Sequence, residues 1–179
     1  KQSIVGRHRE LRTLAQAIQK IEAKPKPLVI ALQGEAGLGK TSLTQAFLEQ
    51  EQAKRLCITS NASSLERRTP YLAWQKLLWR FLAQPGSKPE AFRKSLTERA
   101  NQNGIDSNNL ALLGDVLKIG FNETQTSQTF SPAERQTRLS QVLAVLFHHQ
   151  TDGAPFVMAI DDCQWMDEQS CALLDLMSK

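Results

Sequence analysis

LVIALQGEAGLGKTSLTQAFLEQ, residues Leu28 to Gln50, decides how this chain is read. An apolar run ends at Gly34, two more glycines follow at Gly37 and Gly39, and Lys40-Thr41 opens a stretch of helical pattern. Leu28 to Leu32 is short and wholly apolar, the mark of a strand buried on both faces of a parallel sheet. The pattern from about Gly39 to Glu51 predicts a helix. Between them, Gly34, Gly39, Lys40 and Thr41 fit G-x-x-x-x-G-K-[ST]. Each residue type has a physical task. Glycine permits positive φ and leaves no side chain between the backbone and a ligand. Successive backbone N–H groups curl around an anion, and the helix N-terminus adds the positive end of its dipole. Lys40 supplies a mobile point charge for the outer phosphates, and Thr41 a hydroxyl for Mg2+, a hard cation that prefers oxygen. The stretch predicts phosphate binding.

A second constellation points the same way. "PFVMAI" reads as an apolar strand that delivers Asp161 and Asp162 at its C-terminal edge, where open α/β sheets bind ligands. Asp161 would orient Mg2+, directly or through its waters, and Asp162 would act as general base toward an attacking water. The plainer alternative is that Asp162 or Asp167 caps the next helix. For Asp167 capping is the preferred reading.

The remaining segments frame these two. Leu11, Leu14, Ala15, Ile18 and Ile21 share one face of a helix expected from Arg9 to about Ala23, stopped by "KPKP". Arg55 to Ser60 is a second, weaker strand, which completes a strand–helix–strand unit. "PYLAWQKLLWRFL" puts Leu72, Trp74, Leu77, Leu78 and Phe81 on a broad apolar helical face. Further helices are expected over Pro89–Asn101 and Asn109–Lys118. "GFNETQTSQTFS" is polar and aperiodic and reads as an exposed loop. Ser131-Pro132-Ala133-Glu134 has capping-box spacing with proline at the first helical position, so a long helix should run to about His149. A last helix is expected near Asp167, with Leu173, Leu174 and Met177 facing inward.

Composition narrows the class. Apolar content of 41% and charged content of 22% are those of an ordinary globular chain. The net charge of +4 comes without a dense Lys/Arg run or interleaved aromatics, so no direct nucleic-acid binding is expected of this segment. No apolar run approaches the roughly 20 residues of a membrane span, so no membrane contact is expected either. Cys57, Cys163 and Cys171 form no CxxC pair, which reads as a reduced, cytoplasmic chain. Trp74, Trp79 and Trp165 are expected to pack in the core or on the surface rather than form a stacking platform, and Arg67-Arg68 to be solvated. The chain starts at Lys1 and stops within a helical pattern, so both ends are expected to be cuts in something longer.

With these residues in view, the chain resembles the STAND branch of AAA+-related P-loop ATPases, found in LuxR/MalT-like regulators and in multidomain signalling kinases and cyclases. "IVGRHREL" is similar to the family's N-terminal box near adenine, which implies Val5, Gly6 and Arg7 for the base pocket. "GEAGLGKTSL" is similar to its Walker A, which implies nucleotide contacts from Gly34, Glu35, Ala36, Gly37, Leu38, Gly39, Lys40, Thr41 and Ser42. "MAIDDCQWMDEQS" resembles its Walker B, with Asp161 and Thr41 toward the metal and Asp162 with Lys40 toward catalysis. The resemblance implies an α/β, three-layer αβα fold with a mostly parallel sheet and a helical insertion. Residues 1–60 would hold the N-terminal helix, the Walker A unit and the second strand. Residues 61–130 would form the insertion, and residues 131–179 the long helix, the Walker B strand and a last helix. Members also carry a strand between the Walker A and Walker B strands, then a helical lid; neither is expected within these residues, so the sheet is expected to be incomplete.

The leading expectation is therefore a regulatory switch that binds ATP with Mg2+, hydrolyses it slowly, and signals to other domains of the same polypeptide. Nucleotide-dependent self-association is a further expected property. No N-K-x-D guanine-reading motif is present, which favours ATP over GTP. The alternatives are a DNA-loading or remodelling AAA+ ATPase, a P-loop kinase, and a nucleotide-holding interaction module without turnover.

Overall fold

A computed structural model describes residues 6–23, 26–65 and 67–179 of the 179-residue chain. Among them, two short strands run side by side. β1 (Cys57–Asn61) pairs in parallel with β2 (Val157–Asp161), Cys57 opposite Val157 and Asn61 opposite Asp161. Alternation along the strands sends side chains to both faces. Val157 packs against α1 (His8–Ala23) and α2 (Lys40–Glu51), where Leu14, Ile18, Leu43 and Phe47 form a small core. Ile58, Met158 and Ile160 point the other way, into the main core. Helices thus cover both faces of a parallel sheet, and the fold is the expected α/β type.

The main core is built by the middle of the chain. α3 (Leu72–Leu82) buries Trp74, Leu77 and Leu78 completely, with Phe81 and Leu82 nearly so. α4 (Pro89–Gln102) starts on proline and buries Phe92, Leu96 and Ala100, one face at four-residue spacing. The single helix expected over Asn109–Lys118 is two: α5 (Ser107–Ala111), whose N-cap Asp106 accepts from the Asn109 N–H, and α6 (Leu113–Leu117), ended by Lys118 at φ +55°. Leu112 and Leu113 at the junction are fully buried, so packing fixes the break that periodicity could not show.

The segment expected to be an exposed loop contains a helical turn, α7 (Gln125–Gln128). Thr124 and Ser127 form a reciprocal capping box there, and Ser127 is fully buried. Arg135 holds the turn from outside, donating to the Ser127 carbonyl and pairing with Asp115 and Glu123. α8 (Pro132–Gln150) begins as expected, with Ser131 and Glu134 exchanging side-chain and backbone hydrogen bonds. Its Phe147 meets Phe81 edge-on at 5.0 Å, and Phe156 stacks on Phe81 at 5.4 Å. α9 (Glu168–Met177) closes the described chain and buries Leu173.

One expectation fails outright. Residues 28–32 form no strand, and Leu28, Val29, Ile30 and Leu32 are 37–54% exposed. The sheet consists of β1 and β2 alone among the described residues. A buried strand needs a partner for every backbone N–H and C=O, and no described strand supplies one to this run. The outer edge of β1, by contrast, is covered: Arg80 donates to the Thr59 carbonyl at 2.9 Å.

Candidate phosphate-binding site

The glycine loop takes the shape its residues permit. Gly37 and Gly39 have φ of +82° and +76°, and a Cβ built on either would project into open space. Glycine is needed there for the left-handed backbone, and the open space is room for a ligand. Gly39 is the N-cap of α2 and offers no side chain, and no acid lies in the first turn. The first N–H groups of α2 therefore have neither an intrahelical partner nor a side-chain cap. That end of the helix carries partial positive charge and favours an anion.

Lys40 reaches back across the loop. Its ammonium donates to the carbonyls of Gly34 and Glu35, each at 2.8 Å. These bonds hold the charge beside the loop, and an incoming anion would exchange them for stronger, charge-assisted ones. Glu35, Ala36, Leu38 and Ser42 are exposed around it.

Topology brings the second element to the first. Thr41, in the first turn of α2, donates from Oγ1 to Asp161 Oδ2 at 2.7 Å. The other oxygen of Asp161 accepts from the Asp162 N–H at 3.0 Å, which fixes the plane of the carboxylate. Asp162 turns the chain off the strand with φ +54° and ψ +35°, a left-handed conformation that aspartate tolerates better than most residues. Its side chain is exposed and accepts from Gln164 at 3.0 Å. Thr41 and Asp161 are hard oxygen donors, the chemistry that suits Mg2+, with Asp161 able to act directly or through a water. The pair fits that ion. Among the described residues no group of three or more His, Cys, Asp or Glu side chains is placed to hold a metal. Most ligands of such an ion would have to come from phosphate and water, as is usual for Mg2+.

Asp167 does what its position predicts. It caps α9, accepting from the Ser170 N–H at 2.9 Å and the Ser170 hydroxyl at 2.6 Å. The same buried carboxylate also accepts from the Tyr71 N–H at 3.1 Å, tying the start of α3 to the start of α9. Trp74 adds a bond from its indole N–H to the Ser170 carbonyl, so this tryptophan packs, as expected. Trp165, 38% exposed, lies at the surface. Arg67 and Arg68 are exposed, as expected.

The N-terminal box is partly visible. Val5 lies outside the described residues. Gly6 has φ +85°, and Arg7 reaches the glycine loop itself, donating from Nη2 to the Leu38 carbonyl at 2.7 Å. Sequence reasoning did not foresee that contact, nor the Gln164 bond to Asp162 or the Asp167 bond to Tyr71.

Comparison with known protein families identifies the family of the chain. The AAA ATPase domain family matches residues 3–179, and the chain belongs to it. Nucleotide binding is the property that membership suggests. No curated protein and no solved structure matched the chain. Among the described residues no helix is long and apolar enough to cross a membrane.

Proposed function

We propose that the chain binds ATP with Mg2+ across residues 34–42 and Asp161, and that Asp162 assists a slow hydrolysis that resets a regulatory switch. The observation that carries this reading is the 2.7 Å bond between Thr41 and Asp161, which brings the two motif elements to one point. In this proposal the loop N–H groups hold the inner phosphates, and Lys40 leaves the Gly34 and Glu35 carbonyls for the outer ones. Bound Mg2+ would neutralise phosphate charge. Asp162 has one carboxylate oxygen on Gln164, leaving Oδ2 to take a proton from water. Gly6, Arg7 and Val5 are proposed to lie toward the nucleoside end, by resemblance.

The switch belongs to a larger, cytoplasmic signalling or transcription-regulatory polypeptide of the STAND kind, in this proposal. Residues 1–179 are proposed to be the N-terminal part of its P-loop ATPase domain, divided near residues 60 and 130. The exposed run at residues 28–32 supports the idea that another strand of the same polypeptide completes the sheet beside it. ATP and ADP would favour different arrangements of the neighbouring domains, or different states of self-association. Single-turnover hydrolysis of bound ATP, with Asp162→Asn as the comparison, tests the reading. Turnover that is slow in the wild type and about a hundredfold slower in the variant is expected. Equal rates in the two would remove Asp162 from the chemistry.

A further inference from the structure

Arg7 divides its guanidinium between two acceptors: Nη2 donates to the Leu38 carbonyl at 2.7 Å, and Nη1 to Glu10 Oε1 at 2.7 Å. Leu38 stands between Gly37 and Gly39, the two loop residues with left-handed backbone. The Leu38–Gly39 peptide can turn over about Leu38 ψ and Gly39 φ, because glycine populates both signs of φ. The Leu38–Gly39 peptide is trans, like every described peptide bond, so its C=O and N–H point in opposite directions. A donor that holds the carbonyl on one side therefore turns the Gly39 N–H to the other.

Both ends of this brace are anchored. Arg7 leads directly into α1, whose Leu14 and Ile18 pack on Leu43 and Phe47 of α2, the helix that the loop feeds. Glu10, one turn along α1, holds the arginine in place as an i,i+3 pair. We propose that Arg7 is a positioning residue for the phosphate loop: it fixes the Leu38–Gly39 peptide plane and so presents the Gly39 N–H to the bound anion. This rests on the nucleotide reading above. It gives Arg7 a task on the phosphate side of the site, in addition to or instead of a contact with the base.

The probe that separates the two sides is inorganic tripolyphosphate, which has phosphates and no base. Its affinity and that of ATP are measured with Mg2+ for the wild type, Arg7→Ala and Arg7→Lys, with thermal midpoints alongside. Arg7→Ala should weaken tripolyphosphate and ATP alike, by roughly tenfold, with an unchanged midpoint. Arg7→Lys keeps the charge but not the planar fork, so it should stay within about twofold of Arg7→Ala. Full rescue by lysine would show that charge alone matters and would overturn the proposal. So would a loss of ATP affinity with tripolyphosphate untouched, which would place Arg7 on the base. Unchanged affinities in Arg7→Ala would overturn it as well. A wild-type chain that binds neither ligand would sink the nucleotide reading and this inference with it.

Discussion

Thr41 donates from Oγ1 to Asp161 Oδ2 at 2.7 Å, joining residues 120 positions apart in the chain. Neither side chain is buried, so the bond contributes little to stability, on the order of 0.5–1.5 kcal/mol. Its position matters more: it places two hard oxygens at the mouth of the glycine loop. Thr41→Val and Asp161→Asn should each weaken the Mg2+-dependent part of ATP binding by about tenfold to a hundredfold. In the proposed site both would serve one ion, so they should add less than independently in the double variant. Titrations with Mg2+ and with EDTA check this; strictly additive losses would mean that the two residues act apart.

Asp162 and Asp167 are close in sequence and should behave in opposite ways. Asp167 is 7% exposed and accepts three hydrogen bonds, from Tyr71 N–H, Ser170 N–H and the Ser170 hydroxyl. Asp167→Ala removes a helix cap and strands buried donors, for a loss of about 2–4 kcal/mol. Asp162 is exposed and makes no cap bond, so Asp162→Asn should alter stability by less than about 0.5 kcal/mol. Urea unfolding of the two variants decides whether the roles are divided this way.

Sequence pattern was legible where the cause is local. Ser131-Pro132-Ala133-Glu134 starts α8 because the cap, the proline and the glutamate act within four residues of one another. The same holds for Asp167 at α9. It failed where the cause is distant. Leu28–Leu32 has the composition of a central strand, yet burial depends on a neighbour that composition cannot supply. The break at Leu112 depends on α3 and α8 packing, and α7 on Arg135 reaching in from α8. At the site, the residues of the loop and the aspartate pair were readable from spacing. The Arg7 bond to Leu38 spans 31 positions and has no periodic signature.

The exposed run gives a direct stability comparison. Val29 is 54% exposed and Leu78 is fully buried. Val29→Ser should change stability by less than about 0.5 kcal/mol, while Leu78→Ala should cost about 2–5 kcal/mol. A Val29→Ser loss as large as that of Leu78→Ala would show that residues 28–32 are buried in solution.

Acid should loosen the start of α8. The Ser131 backbone N–H, followed by the Ser131 hydroxyl, holds the Glu134 carboxyl below its ordinary value of 4.5. A carboxyl lowered in the folded state stabilises the fold above the unfolded value and loses that contribution as pH falls through the folded one. Ser131→Ala keeps the backbone N–H and removes only the hydroxyl, so it should raise the Glu134 titration part of the way toward 4.5, as followed by carboxyl NMR. An unmoved midpoint would mean that the Ser131 hydroxyl has no part in holding the charge.

The central claim is that residues 34–42 form a phosphate cradle in which Lys40 supplies the charge. Calorimetric titration of ATP with Mg2+ into the wild type and Lys40→Ala tests it most directly, with GTP as competitor. Saturable binding that prefers ATP and weakens at least about a hundredfold in the variant is the predicted result. Equal binding by a folded Lys40→Ala chain, or none by a cooperatively folded wild type, would contradict it.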